Sequence, residues 1–165
     1  TNTIMIKNII LIVTAVLTVA LNVNAADATL ISKLGVKAYA ALEHPQFDNP
    51  EWSAGVDVGF RLNEKVSLHA DLMSFAYNEW RGSVVDRASL LGKYELFTSA
   101  NKAFVVYGLA GGGYNLHSDN WLFTAGLGVS YDITKNLQLF ADSRPYSEFN
   151  ANSGLSSRFG IGWNF

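Results

Sequence analysis

Between Trp52 and Leu62 the chain changes character at every residue. Trp52, Ala54, Val56, Val58, Phe60 and Leu62 are apolar, while Ser53, Gly55, Asp57, Gly59 and Arg61 between them are small or polar. Successive side chains of an extended strand point to opposite faces, so period two marks a strand with two different environments. The pattern returns at Trp121–Ile133. There Trp121, Phe123, Ala125, Leu127, Val129, Tyr131 and Ile133 oppose Leu122, Thr124, Gly126, Gly128, Ser130 and Asp132. At the end of the chain, Leu155, Ser157, Phe159, Ile161, Trp163 and Phe165 oppose Ser156, Arg158, Gly160, Gly162 and Asn164.

Eight such segments can be marked, at Ile31–Leu42, Trp52–Leu62, Lys65–Phe75, Val84–Leu96, Ala103–Tyr114, Trp121–Asp132, Asn136–Arg144 and Gly154–Phe165. Each approximates the ~9–11 residues that cross a bilayer as a tilted strand. The fifth, FVVYGLAGGGY, reads in either register, and its faces stay unassigned. Three features favour a membrane barrel over a soluble sandwich. Tight connections (Asn63–Glu64, Thr98–Lys102, Ile133–Lys135) alternate with longer polar ones (Glu43–Glu51, Ala76–Ser83, Asn115–Asn120, Pro145–Ser153). Aromatics gather at strand ends, as at two lipid–water interfaces. Trp52, Tyr77, Trp80, Tyr114, Trp121 and Tyr146 form one group; Phe60, Tyr94, Phe97, Phe104, Tyr131, Trp163 and Phe165 form the other. The girdles are assigned to Trp52, Phe60, Tyr94, Tyr114, Trp121, Tyr131 and Trp163. Finally, both charge signs fall on the polar faces and almost none on the apolar ones. The expected fold is all-β: a closed eight-stranded antiparallel transmembrane barrel, an up-and-down meander. Closure is required because an open edge in hydrocarbon leaves backbone groups unpaired, at several kcal/mol each.

Residues 1–25 read as a secretory signal, with Lys7 as the positive region, Ile9–Leu21 as the apolar core and Val23-Asn24-Ala25 before the cleavage point. The apolar core falls short of the ~20 residues a spanning helix needs. Residues 26–165 are then the barrel domain, and the expected location is a Gram-negative-type outer membrane. The chain has 49% hydrophobic and 16% charged residues, which argues against disorder. No cysteine is present, excluding disulfides and thiolate metal sites. Twelve basic residues against 14 acidic ones give a net charge of −2, with no basic excess for nucleic acid.

The last eight residues, Arg158-Phe159-Gly160-Ile161-Gly162-Trp163-Asn164-Phe165, follow polar-x-Gly-x-x-hydrophobic-x-aromatic. They resemble the signal by which outer-membrane proteins pair with the barrel-assembly machinery, with Arg158, Gly160, Trp163 and Phe165 as its marked positions. The logic is strand addition to an exposed edge. The stretch from Asn120 to Arg144, centred on LFTAGLGVSYDITKNLQLFADSR, resembles a hairpin of the small OmpA/OmpX-type eight-stranded barrels. The resemblance covers the mature chain in architecture and the last two hairpins in motif. The sequence departs from OmpA in having no peptidoglycan-binding domain after the barrel, and from the OmpX/Ail group in its short outer loops. The latter speaks against adhesion and serum resistance. The resemblance implies lipid and lipopolysaccharide as surroundings, the assembly machinery as a partner, and an unidentified surface ligand.

Inside the barrel the polar faces would place Lys37, Asp57, Arg61, His69, Asp71, Arg87, Lys93, Glu95, Asp142, Arg144 and Arg158. Lys37 with Asp57, Asp71 with Arg87, and Asp142 with Arg158 are the expected opposite-charge neighbours. An eight-stranded interior is just wide enough for side chains to fill, so these charges read as a structural plug rather than an ion path. Ser67, His69 and Asp71 share a strand face and include nucleophile, base and acid types. They would face the lumen, and alternate residues stand ~6–7 Å apart along a strand. No catalytic residue is therefore expected. His117-Ser118-Asp119 reads as a polar turn and His44 as an exposed loop histidine. The three scattered histidines form no metal site, and GLAGGGY precedes no helix, so neither metal nor cofactor is expected. The expected role is structural or interfacial, with Phe47, Trp80 and Phe149 as loop contacts or anchors. A lipid-A-modifying enzyme and a narrow channel remain as alternatives.

Overall fold

The computed structural model describes residues 33–45, 49–75, 85–116, 118–149 and 153–165. The signal segment 1–25 and the loop residues Phe47, Tyr77, Trp80 and His117 lie outside them. Eight strands follow one another: β1 (Leu34–Pro45), β2 (Glu51–Arg61), β3 (Val66–Phe75), β4 (Arg87–Thr98), β5 (Phe104–Asn115), β6 (Asn120–Asp132), β7 (Leu137–Glu148) and β8 (Ser153–Asn164). Each pairs antiparallel with its neighbours, and β1 pairs with β8 from Gly35↔Asn164 to Pro45↔Gly154, closing the barrel. Among the described residues no helix is long and apolar enough to cross a membrane.

The alternation in sequence becomes an inside and an outside. Leu68, Leu72, Leu90, Phe123, Leu127, Leu139, Phe159 and Ile161 lie exposed on the outer wall, with Leu127 63% and Trp121 64% accessible. In water such a surface would be far larger than a soluble protein tolerates; in a bilayer it is the lipid-facing band. Aromatic side chains frame this band. Trp52, Tyr114 and Trp121 stand at the end that holds connections 46–50, 76–86, 116–119 and 149–152, here the loop end. Phe60, Tyr94, Tyr131 and Trp163 stand at the other, the turn end. At the loop end the rings pair edge to face, Tyr114 with Trp121 at 5.2 Å and Trp52 with Phe159 at 6.3 Å between centroids.

The turn end is built from local capping chemistry. The Asn63 side chain accepts hydrogen bonds from the Lys65 and Val66 amides, both at 2.9 Å, and Thr134 Oγ1 accepts one from the Leu137 amide at 3.0 Å. Asn, Ser and Thr tighten turns in this way because their short side chains mimic the backbone. Connections 62–65, 99–103 and 133–136 are correspondingly compact.

The structure corrects several expectations. β1 ends at Pro45 instead of Leu42, so His44 lies within a strand and not in a loop. β7 continues past Arg144 to Glu148. In both cases the extension carries a polar side chain inward to partners: Glu43 in β1 and Glu148 in β7. Pro145 reads as a strand stop because it lacks an N–H. Here it faces outward, and the β6–β7 ladder skips from Thr124↔Tyr146 to Leu127↔Ser143 around it. Longer strands leave shorter loops, and only connection 76–86 is clearly longer than the turns. Tyr146, expected in an interfacial ring, points into the lumen instead. The fifth strand also acquires its faces: Val105, Tyr107, Leu109 and Asn115 point inward, Phe104 and Ala110 outward.

Leu127 lies mid-strand on the outer wall, opposite Ser143 in β7 and Gly108 in β5. Leu127→Arg is expected to destabilise the barrel in phospholipid vesicles by about 2–4 kcal/mol, as measured by reversible denaturant unfolding. A change within error would place water, not hydrocarbon, on this face.

Candidate functional site

The inward faces supply three linked tiers of polar side chains. Their depth follows from strand position, since each step of two residues moves one level along the lumen.

The loop-end tier centres on Arg87 of β4. Its guanidinium reaches Glu43 of β1 at 3.3 Å and Glu148 of β7 at 3.9 Å, and stacks on the Tyr146 ring with 4.2 Å to the centroid. Glu43 is wholly buried and also accepts a hydrogen bond from Ser156. Glu148 accepts from Asn115 at 2.6 Å and from Ser118 at 2.9 Å. Each carboxylate thus has a cation and at least one neutral donor, which is what a buried charge requires.

The middle tier joins β1, β3, β5, β7 and β8. Asp71 accepts from Tyr39, from Arg158 and from Arg144, the last at 2.9 Å. Arg144 grips Asp142 with two N–H groups, at 2.6 and 2.9 Å, the bidentate geometry its planar fork favours. Tyr107 donates to Asp142 at 3.3 Å, and Arg158 lies over the Tyr39 ring with 4.7 Å to the centroid. The apolar cluster Tyr39, Ala41, Met73 and Phe140 packs around this tier. Gly128 makes room for Tyr107. A Cβ there would stand 2.5 Å from the phenol ring and 2.6 Å from the Asp142 Cβ.

The turn-end tier holds Lys37, Asp57, His69, Lys93 and Ser67. His69 Nδ1 lies 2.6 Å from Asp57 Oδ1, and its Nε2 lies 2.8 Å from Ser67 Oγ. The ammonium groups of Lys37 and Lys93 rest against aromatic faces, Lys93 at 4.0 Å from the Tyr107 centroid and Lys37 at 5.1 Å from that of Phe140. Among the described residues no cluster of His, Cys, Asp or Glu is arranged to hold a metal ion.

Ten of the eleven predicted lumen residues line the interior, and some of their partners differ from those expected. Lys37 stands opposite Asp57 in the β1–β2 register, as expected, and acts on its carboxylate through charge while its ammonium also rests over rings. Asp71 binds Arg144 and Arg158, while Arg87 binds Glu43 and Glu148. Asp142 and Arg158 are register partners, but Arg158 reaches across the lumen to Asp71. Long arginine side chains span a narrow bore, so adjacency along the sheet does not decide pairing. Arg61 is the exception: it lies at the turn-end rim, 61% exposed, 3.6 Å from Glu95. The rule that alternate residues stand too far apart for a Ser67–His69 hydrogen bond also fails, because the His69 ring tilts along the strand toward Ser67. Glu43, Tyr39, Tyr107, Tyr146 and Glu148 were absent from the predicted set. Continuing the two-residue count from Lys37 through Tyr39 and Ala41 leads to Glu43, and from Asp142 through Arg144 and Tyr146 to Glu148. Of the assembly-signal positions, Arg158 and Gly160 face inward, Trp163 faces outward, and the Phe165 amide donates to Leu34 at 3.1 Å.

No family model matches the chain, and no curated protein does. Solved structures do. Neisserial surface protein A aligns at 16% identity over 81% of this chain and 97% of its own, with a TM-score of 0.65. The N-terminal β-barrel domain of Pseudomonas aeruginosa OprF aligns at 19% identity over 79% and 97%, with a TM-score of 0.59. A designed barrel, TMB2.3, aligns at 17% identity over 81% and 94%, with a TM-score of 0.56. The likeness shows a shared fold, the closed eight-stranded transmembrane barrel of OmpA/OmpX-type architecture.

Removing one partner of a buried charge network leaves another uncompensated. Arg158→Met is expected to cost about 3–5 kcal/mol in denaturant unfolding from vesicles, because Asp71 loses a ligand and Tyr39 its stacked cation. Arg61→Met, at the wet rim, is expected to cost less than about 1 kcal/mol in the same measurement.

Proposed function

We propose that this chain is a small integral protein of a Gram-negative-type outer membrane, with a structural or surface-interaction role and a lumen closed by its own side chains. The observation that carries the reading is the continuous outward apolar band between two aromatic ends on a closed barrel. Lipid satisfies that band, and closure satisfies the backbone beneath it. With an even strand number, the start of β1 and the end of β8 both lie at the turn end. We assign that end to the periplasm and the loop end to the cell surface. The structural neighbour described as a Neisserial surface protein supports a surface-directed loop end.

A plugged lumen is supported by the middle tier, where Tyr107 and Met73 are almost fully buried beside the Asp71–Arg144–Arg158–Asp142 network, and by Leu91, almost fully buried at the level of His69. Ions would have to displace paired charges to pass. Export by the segment 1–25, insertion by the barrel-assembly machinery through the β8 pattern, and residence among lipid and lipopolysaccharide belong to the same reading. The surface ligand is open; Trp121, Tyr114, Phe123 and Phe149 present aromatic faces at the loop end for such a contact.

Expression in a Gram-negative host tests this directly. The chain is expected to fractionate with the outer membrane and to give no steady conductance in planar bilayers, and the lipid A mass spectrum is expected to match that of the empty-vector strain. Recovery as a folded, detergent-free species in the periplasmic extract would overturn the assignment. Sustained single-channel current would overturn the plug, and a new lipid A species would favour the lipid-modifying alternative.

A further inference from the structure

The turn-end tier contains a connected Ser67–His69–Asp57 relay that the structural reading leaves unused. His69 bonds Asp57 through Nδ1 at 2.6 Å and Ser67 through Nε2 at 2.8 Å. In the neutral ring with its proton on Nδ1, His69 donates to the carboxylate and accepts from the hydroxyl. Those are the roles of acid-oriented base and nucleophile in a serine hydrolase, recognised by geometry and not by chain order. The carboxylate comes from β2, not from Asp71 on the same strand. Gly59, opposite His69 in the register, makes this possible. A Cβ there would stand 2.6 Å from the ring's Cε1, so only a glycine lets the imidazole lean across β2 toward Asp57.

Position favours access as well as geometry. Asp57 and His69 are buried, whereas Ser67 is partly exposed, the first inward residue of β3 at the turn-end mouth. Its register partners are Arg61 on β2, which lies 3.6 Å from Glu95, and Lys93 on β4, whose ammonium rests on the Tyr107 ring, so two cationic residues share its level of the lumen. Lys93 also lines, with Lys37, Asp57, His69 and Tyr107, a pocket with room for about one water molecule.

We propose that Ser67, His69 and Asp57 form a hydrolytic site at the turn-end mouth, acting on carboxylic esters of small, anionic acyl groups. Ser67 Oγ adds to the ester carbonyl as His69 Nε2 takes the hydroxyl proton. The acyl carbon–oxygen bond to the leaving group breaks, and that oxygen takes the proton from His69. Water, deprotonated by the same nitrogen, then cleaves the acyl–Ser67 ester and restores the hydroxyl. Asp57 holds the ring and balances the imidazolium. Lys93 meets charge developing on the carbonyl oxygen, and Arg61 draws the anionic acyl tail to the rim. The site needs neither lipid nor a surface partner, so it stands or falls apart from the reading above.

The test uses the folded barrel in detergent micelles, its folding checked by the gel-mobility difference between unheated and boiled samples. A fluorophosphonate probe is expected to add one adduct, mapped to Ser67 by peptide mass spectrometry, and boiled protein is expected to remain unlabelled. Hydrolysis of 4-nitrophenyl hemisuccinate is expected to exceed that of 4-nitrophenyl acetate in kcat/KM. It should fall about 100-fold in Ser67→Ala and in His69→Gln, the contribution typical of a positioned base. Ser130→Ala, at a buried serine outside the relay, should leave the rate unchanged. Where a relay variant fails to fold, the adduct map on the unsubstituted chain decides. No adduct on Ser67 of the folded barrel, or ester hydrolysis that persists in a folded Ser67→Ala, overturns the proposal. Equal rates on the two esters overturn its anionic selectivity.

Discussion

The pairing of β1 with β8 is the constraint on which the molecule depends. In hydrocarbon, an unpaired backbone N–H or C=O finds no water, and each one costs several kcal/mol. A sheet of eight strands left open would expose two such edges. Closure from Gly35↔Asn164 to Pro45↔Gly154 removes both. It also sets the bore, and an eight-stranded bore is narrow enough for side chains to fill. Everything inside follows from that width: arginines reach across it, aromatic rings close its flanks, and glycines relieve crowding where rings lie flat, as at Gly128 beneath Tyr107.

Within this bore, charge is tolerated because it is shared. Asp71 takes donors from three other strands, Arg87 lies between two carboxylates, and Tyr39 and Tyr146 each carry an arginine on one face. Such networks add specificity to the register: a slip of one residue would turn Asp71 and Arg158 out into lipid and bring Leu72 and Phe159 in. The same tiers grade from sealed to open. The middle is buried and paired, whereas the turn end carries a serine, a histidine and two lysines near an exposed rim. There a structural interior gives way to groups with chemical potential.

Much of this was legible in the sequence, for a definite reason. A strand between lipid and a polar lumen must alternate strictly, and Trp52–Leu62 and Trp121–Ile133 do so without interruption, so their faces could be read residue by residue. The fifth strand could not, because Val105 and Val106 suit both faces and its glycines suit either; only packing of Tyr107 against Asp142 and Gly128 fixes it. Strand ends are hard to read in the sequence where polar residues point inward. Glu43 and Glu148 look like loop residues until Arg87 is placed between them. Adjacency in the register holds for Lys37 and Asp57, but it does not reveal that Arg144 and Arg158 converge on Asp71 across the lumen, or that Arg87 sits one level above Asp71 and reaches Glu43 and Glu148. The Ser67–His69–Asp57 relay was hidden for a related reason: its acid lies on the next strand, brought into reach by the absent side chain of Gly59.

The central claim is that lipid wets the outer wall, and depth-resolved quenching measures it most directly. In vesicles whose acyl chains carry bromine at defined depths, Trp121 and Trp163 should be quenched most strongly by bromines near the headgroups. A tryptophan placed at position 127, in a chain whose native tryptophans are replaced by phenylalanine, should be quenched most by bromines near the bilayer centre. Fluorescence at position 127 that is indifferent to every brominated lipid, in a chain that stays folded, would contradict the account.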